Sequence, residues 1–487
     1  MDTEKLLYRR QFIFAPKEID DFPTWKKYNI LDKYMLYAHP DLVQSEYSEG
    51  NKRLILLGDL YDPENYEFNN MNILARLIKN NSITELIESS FKYAGRFALF
   101  FIYSNSIYVF HDSNAARRVY YTTKNNAGWC GSMPSVLAKF AGLAKTTDKI
   151  VLDYYNSNSF TENSNADIYN TTIYKDIEQL TANFYFDFQQ YKAIRYWPNK
   201  PIKQSSLTEG VEIGSKLLQG ILKSANFRYD LMLPVTAGFD SRLLLSATKD
   251  ISSDLFYYII KHSSTSNSYH DIKIPSKLFA KINLNFNIIE YPKEVDPEFK
   301  KLYFLNDEFA IENDISVIYN VFYKRFSDKI NLPANFSTVA RNFNTTFKNK
   351  ITAELLSEMN NLNNEHVLNV YRNWILEITD VVNKYGYSIL DLFEWEEGSG
   401  NSITKTQTNK DISQEEFIPF NCRNLMITYL SVPKKYRNIY TNIYYKAMIK
   451  YMWPELLSVP FNPHLWKHYY ATKLKLYWIL RWVKKGW

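Results

Sequence analysis

Between Leu231 and Tyr291 short apolar runs alternate with helical stretches, and no other feature restricts the fold as strongly. Leu231–Val235 has the make-up of a buried strand; it runs into a polar turn carrying Gly238, and Leu243–Ala247 begins a helix. Asp254–Ile260 is a second buried strand, His270–Ile282 a helix, and Phe286–Tyr291 a third strand. Parallel neighbours cannot be joined by a tight turn, so this strand–helix–strand–helix–strand order predicts an α/β doubly wound parallel sheet. After about Pro297 the pattern is mainly helical to the end.

The first third is β-rich instead. Arg53–Tyr61 is a short apolar run stopped by the turn signal Asp62-Pro63, and helical patterns follow over Met71–Asn80 and Ile83–Tyr93. Arg96–Tyr103 and Ser106–Asp112 are strand-like runs separated by a Ser-Asn turn, hence a hairpin; Arg118–Thr123 and Gly128–Met133 continue the series. Sequential antiparallel strands with few helices predict an α+β sheet domain. Two prolines and a loss of periodicity mark a linker at Tyr196–Lys203, which gives domains at 1–198 and 204–487. At 487 residues the chain exceeds one ordinary core, so two domains are the natural expectation.

Composition narrows the function classes. With 46% hydrophobic and 23% charged residues the chain is globular, not disordered or fibrous. A net charge of +6, from 58 basic and 52 acidic residues, is a mild excess over a large surface, so nucleic acid is not an expected partner. Cys130 and Cys422 cannot make a disulfide framework or a Cys-based zinc pattern, which predicts a reducing, cytoplasmic setting. No run of about 18 apolar residues occurs, so no transmembrane segment is expected, and the acids near Met1 argue against a signal peptide. The segment from Leu465 to Trp487 mixes Trp, Tyr, Leu and basic residues, a pattern suited to packing on the body or to lying on a membrane surface.

The turn Val235-Thr236-Ala237-Gly238-Phe239-Asp240-Ser241-Arg242 carries the chemistry. A strand that ends in a short polar turn and opens a helix is where open α/β sheets bind ligands, and unpaired turn N–H groups with a helix N-terminus suit a phosphate or pyrophosphate. Thr236 and Ser241 add hydroxyl donors, and Gly238 allows a backbone that a Cβ would obstruct. Asp240 fits a metal-ligating role, since magnesium is held by a carboxylate together with phosphate oxygens. Arg242 suits neutralising the charge on departing pyrophosphate. The same residues also serve as ordinary N-caps in turns of no special function.

Thr236–Arg242 resembles the pyrophosphate loop, commonly Ser-Gly-Gly-x-Asp-Ser, of asparagine synthetases and related N-type ATP pyrophosphatases, with Thr236 and Ala237 departing and Gly238, Asp240 and Ser241 kept. Leu57–Tyr61, Gly95–Leu99, Asp112 through Arg118–Tyr121, and Gly131–Leu137 resemble successive landmarks of the family's glutaminase domain. Pro419–Arg423 resembles the segment near its acceptor pocket. The resemblance implies an N-terminal-nucleophile (Ntn) hydrolase-like sheet domain followed by an adenine nucleotide alpha hydrolase-like domain. It implies ATP and Mg2+ as cofactors, with ATP held by Val235, Thr236, Ala237, Gly238, Phe239, Asp240, Ser241 and Ile260, and adenine near Val235 and the end of the second strand. The implied reaction is that of an amide-forming ligase: a small-molecule carboxylate becomes an acyl-adenylate, and ammonia or an amine displaces AMP. The acceptor is aspartate, as the family name implies, or another acid. A homodimer is left as an open expectation.

The sequence also departs from the family. Met1 is followed by Asp2 where the glutaminase has a cysteine, so glutamine hydrolysis is not expected. The region matching the family's acidic, glycine-rich loop, Leu332–Arg341, has neither glycine nor acid; Asn335, Ser337 and Thr338 can donate to phosphate there, and Arg341 can replace metal charge. For the lysine that stabilises the tetrahedral intermediate, Lys446, Lys450 and Lys467 are the candidates, Lys446 first. Glu394, Glu396 and Glu397 fit a base or an ordinary charged helix end; Arg423 fits an acceptor-carboxylate fork or a structural ion pair. His270 and Asp271 fit caps. The second reading is a non-catalytic scaffold that binds a nucleotide or a partner through a decayed site.

Overall fold

The computed structural model describes residues 2–124, 127–262, 266, 269–341 and 350–461. Lys467 and the aromatic segment Leu465–Trp487 lie outside them. The N-terminal half builds two six-stranded antiparallel sheets. One runs, in spatial order, Glu178–Gln179, Tyr120–Thr122, Trp129–Gly131, Phe12–Ala15, Tyr34–Ala38 and Lys26–Ile30. The other runs Lys192–Arg195, Phe184–Asp187, Ser106–His111, Ala94–Tyr103, Lys52–Tyr61 and Gln44–Glu49. The hairpin expected across Ser104-Asn105 is present, with Tyr103 opposite Ser106.

Side-chain alternation explains how these sheets stack. Phe12, Phe14, Ile55, Leu57, Ala98, Phe100 and Ile102 point between the sheets into one core. Their neighbours Ile13, Leu54, Leu56, Leu99 and Phe101 point outward into another, shared with the helices Asn70–Leu77, Ile83–Ser90 and Pro134–Ala141. Strands buried on both faces read as unbroken apolar runs, which is how the sequence presents them. The layering is helix, sheet, sheet, helix, an antiparallel α+β arrangement of the class expected from the sequence.

The outer core does not stop at the domain linker. Leu356, Val367, Tyr371 and Trp374, from the helices Ala353–Asn360 and Glu365–Tyr385, belong to the same apolar cluster as the N-terminal helices. The expected linker is anchored at its start, where Trp197 is buried and packs on Tyr387 and Trp395, whereas Lys200, Pro201 and Lys203 are exposed. Charge reinforces the junction, with Arg96 bidentate on Asp411 at 2.6 and 2.8 Å and Arg117 on Glu415 at 2.8 Å; Arg96, Arg117 and Asp411 are buried and Glu415 is half-buried.

The second half holds a four-stranded parallel sheet in the order Asn287–Ile289, Phe256–Ile260, Leu231–Pro234, Ile330–Asn331. Leu231, Leu233 and Val235 face the helices Leu207–Arg228, Phe239–Ser246, His270–Ile282 and Ile443–Met452, whereas Met232 and Tyr258 face Pro297–Asn306 and the segment Ile315–Tyr323. Helices therefore cover both faces. The first three strands are laid down in one direction, and the fourth returns to the other side of the first. The chain thus reverses between Leu231–Pro234 and Ile330–Asn331, and the loops leaving those two strands flank a topological switch point, the position where such sheets place ligands.

The helix after the turn begins at Phe239, four residues before the sequence pattern places it. Asp240 and Ser241 interrupt the apolar periodicity, yet Phe239 is buried and stacks on Phe461 at 3.9 Å. Among the described residues, no helix is long and apolar enough to cross a membrane.

Candidate functional site

Val235 still belongs to the sheet, its N–H donating to the Tyr258 carbonyl at 2.9 Å, and its side chain lies in the core. The Val235 side chain faces the core helices, so only its backbone is open to the expected neighbour, adenine. Ala237 is buried on the same side, while Ile260 is half-buried at the end of its strand.

Three of the turn's N–H groups already have acceptors within the protein. Thr236 N–H donates to the Ser241 hydroxyl at 3.1 Å, and Gly238 N–H to the Thr236 hydroxyl at 3.2 Å. Ala237 N–H donates to Asp271 Oδ1 at 2.9 Å. Asp271, in the first turn of His270–Ile282, caps this turn rather than its own helix. Its other oxygen lies 3.5 Å from His270 Nε2. Gly238 has φ −72°, open to any residue, so backbone conformation does not demand a glycine there; a Cβ would meet the Thr236 hydroxyl at 3.3 Å.

Asp240 points across the switch-point crevice to the opposite loop. Its Oδ1 accepts from the Ser337 hydroxyl at 2.5 Å and its Oδ2 from Arg341 Nη2 at 2.7 Å. Phe336, buried at φ +65°, directs Ser337 inward from a left-handed conformation that is strained for an aromatic residue, a feature that gathers at functional sites. Tyr445 completes the cluster: its hydroxyl donates to the Ser337 carbonyl at 2.5 Å, and its ring lies 5.6 Å from the Arg341 guanidinium. Burial works against the Arg341 charge, but the Asp240 carboxylate, with Tyr445 and Glu394 beyond it, more than offsets this and raises its pKa.

Other candidates fall on either side of the crevice. Lys446 is exposed and lies 5.7 Å over the Phe239 ring, beside the turn; Lys450 is exposed one helical turn on. Arg242 faces away. Fully buried, it donates to the carbonyls of Leu456, Val459 and Pro460, at 3.4, 2.6 and 3.1 Å, and stacks on Phe461. Its expected role on pyrophosphate is corrected accordingly: its charge is used to hold the 456–461 segment.

Arg423 is also committed elsewhere. It donates to Asn183 and to the Tyr196 hydroxyl, both at 2.7 Å, inside a cage of Phe91, Tyr196, Trp197 and Trp395 rings. It holds the domain junction and forms neither the acceptor fork nor the ion pair expected of it. Glu394, Glu396 and Glu397 lie on a π-helix, Glu394–Ile403. Glu396 is locked by Arg195, Trp374 and Asn183, and Glu397 by Tyr169 N–H and the Tyr371 hydroxyl. Only Glu394 lies beside Arg341, where burial raises its carboxyl pKa. Burial also raises both thiols, Cys422 to about 11 and Cys130 well above its ordinary value, so neither is a ready nucleophile.

Magnesium is the cation that Asp240 suggested. The donors do not fit it: both Asp240 oxygens are occupied, one by a cation, and the facing loop brings no second carboxylate. Among the described residues no cluster of three or more His, Cys, Asp or Glu is placed to hold a metal.

Compared with known proteins, the chain matches no protein-family model and no curated protein. Among solved structures it is similar to one described as the allosteric regulatory enzyme of purine biosynthesis, at 10% identity over 64% of this chain and 75% of that one, with a TM-score of 0.26. Another is glutamine phosphoribosylpyrophosphate amidotransferase from B. subtilis complexed with ADP and GMP, at 10% identity over 60% of this chain and 63% of that one, with a TM-score of 0.22. Likenesses this weak carry no argument, and the fold rests on the strand pairings above.

Proposed function

We propose that the crevice between Thr236–Ser241 and Ser337–Arg341 binds the phosphates of ATP, and that the chain is an ATP-dependent, amide-forming ligase of the asparagine-synthetase type. The observation that carries this is the placement of the Gly238-x-Asp240-Ser241 turn at the switch point of a doubly wound sheet, facing a loop that supplies a hydroxyl and a guanidinium. A substrate carboxylate attacks the α-phosphorus; a carbon–oxygen–phosphorus link forms, and the bond to the β-phosphate breaks. Pyrophosphate is held by Ser241 and Arg341, while the Ser337 hydroxyl stays on Asp240. Ammonia or an amine then attacks the acyl carbon, AMP leaves with the bonding pair, and Lys446 stabilises the oxyanion. Free ammonia or an amine is the proposed nitrogen source, because neither buried thiol is a ready nucleophile for glutamine.

Pyrophosphate exchange into ATP, run across a panel of carboxylic acids with and without magnesium, tests this reading. Exchange with at least one acid, abolished by Asp240→Ala, is the expected result. No exchange, with no ATP binding by calorimetry, overturns it.

A second reading, a non-catalytic nucleotide- or partner-binding scaffold, is favoured by the internally satisfied turn, where Ser241, Thr236 and Asp271 already accept its N–H groups. ATP binding without exchange for any acid selects it.

A further inference from the structure

A phosphate site in an open α/β sheet needs positive charge, and three residues near this turn carry it. Arg242 is turned into the 456–461 segment. Lys446 is exposed on a flexible stem. Arg341 alone of the three is fixed in the crevice, 2.7 Å from Asp240 and largely buried, with Tyr445 beside it. A magnesium ion bridging Asp240 to phosphate would need a carboxylate oxygen at about 2.1 Å. Asp240 Oδ2 already carries the guanidinium and Oδ1 the Ser337 hydroxyl, and a divalent ion would set two cations on one carboxylate.

We propose that Arg341 is the resident phosphate-neutralising cation of this crevice, so that its ligand is a metal-free phosphate chain, either pyrophosphate or the polyphosphate of a nucleotide. The inference rests on the reading of the turn as a phosphate site and adds how that site neutralises charge. A guanidinium suits the task because its planar donors match phosphate oxygens as they match a carboxylate. Asp240 then serves as the positioning residue for Arg341, and Ser337 orients the carboxylate.

Calorimetric titration of the full chain with pyrophosphate, in EDTA and again in excess magnesium, decides the point. Wild-type binding is expected in EDTA and no tighter in excess magnesium, which complexes the free anion. Arg341→Gln is expected to lose about tenfold or more of its affinity in EDTA. Magnesium should restore it, because the freed Asp240 can then take the ion. Wild-type binding that requires magnesium overturns the role of Arg341 but leaves the phosphate site standing; so does an Arg341→Gln affinity equal to wild type in EDTA. Wild-type binding in neither buffer sinks the phosphate reading and this inference together. Should Arg341→Gln fail to fold, Arg341→Lys keeps the charge without the fork, and a weakened affinity in EDTA is the expected result; equality with wild type again overturns it.

Discussion

Asp271 sits where an anion would: its carboxylate accepts the Ala237 N–H at 2.9 Å, on the turn that in the proposed site faces phosphate. An incoming phosphate must displace this carboxylate, with both its hydrogen bond and its charge opposing entry. Asp271→Ala removes the competitor and leaves the Ala237 N–H without an acceptor, a state costing about 1–3 kcal/mol that a bound oxygen relieves. Pyrophosphate affinity is expected to rise about tenfold, while the melting temperature of the free protein falls and recovers on adding ligand. Affinity unchanged or reduced in calorimetry rules out the plug.

Arg242 stands two residues from Asp240 and does unrelated work. Truncation to alanine orphans the carbonyls of Leu456, Val459 and Pro460 and opens space beside Phe461. The expected loss of stability is about 3 kcal/mol, seen as a lower urea midpoint. A variant of wild-type stability would show that the 456–461 segment is not held this way.

The contrasting places of Arg242 and Arg341 mark how far the sequence could be read. The strand and turn around Gly238 were legible because a buried parallel strand is an unbroken apolar run. The crevice was not, because its other wall leaves the strand Ile330–Asn331, only two residues long and without a pattern of its own. Resemblance named Leu332–Arg341, with Asn335, Ser337 and Thr338 as phosphate donors and Arg341 in place of metal charge, but only the fold aims Ser337 and Arg341 at Asp240. Arg242 was misassigned for a geometric reason: residues two apart on a helix point about 200° from each other, so Asp240 and Arg242 cannot share a ligand. Glu396, Glu397 and Arg423 went astray differently. Their partners Arg195, Tyr169 and Asn183 lie in the other half of the chain, and one sequence carries no trace of that docking. The same blindness hid the core shared by Trp374 and the N-terminal helices.

Glu397 makes the junction sensitive to pH. Burial raises its carboxyl from the ordinary 4.5 to about 7, against the lowering effect of hydrogen bonds from Tyr169, Asn401 and Tyr371. The unfolded chain releases this proton near 4.5 and the folded chain near 7, so between those values the native state binds more protons. Its contribution to stability is therefore full below the lower value, declines as pH rises through the window, and levels off above the upper one. The change is about 3 kcal/mol. Glu397→Gln, which keeps the shape without titrating, should gain stability relative to wild type as pH increases across this range. Parallel pH profiles in thermal melts would refute the assignment.

Lys446 separates the two halves of the proposed reaction. It lies beside the turn, 5.7 Å over the Phe239 ring, but touches none of Asp240, Ser337 or Arg341 in the hydrogen bonds that tie the crevice together. A cation so placed acts on the oxyanion formed when the amine attacks, after pyrophosphate has left. Lys446→Ala should thus leave pyrophosphate exchange close to wild type while cutting amide formation by about 100-fold, a size typical of losing one oxyanion donor. Hydroxylamine as the nitrogen donor makes the second step measurable as hydroxamate whatever the natural amine. Equal losses in exchange and hydroxamate would move Lys446 to the phosphates, in competition with Arg341, and no loss in either would return it to the solvent-exposed surface of its helix.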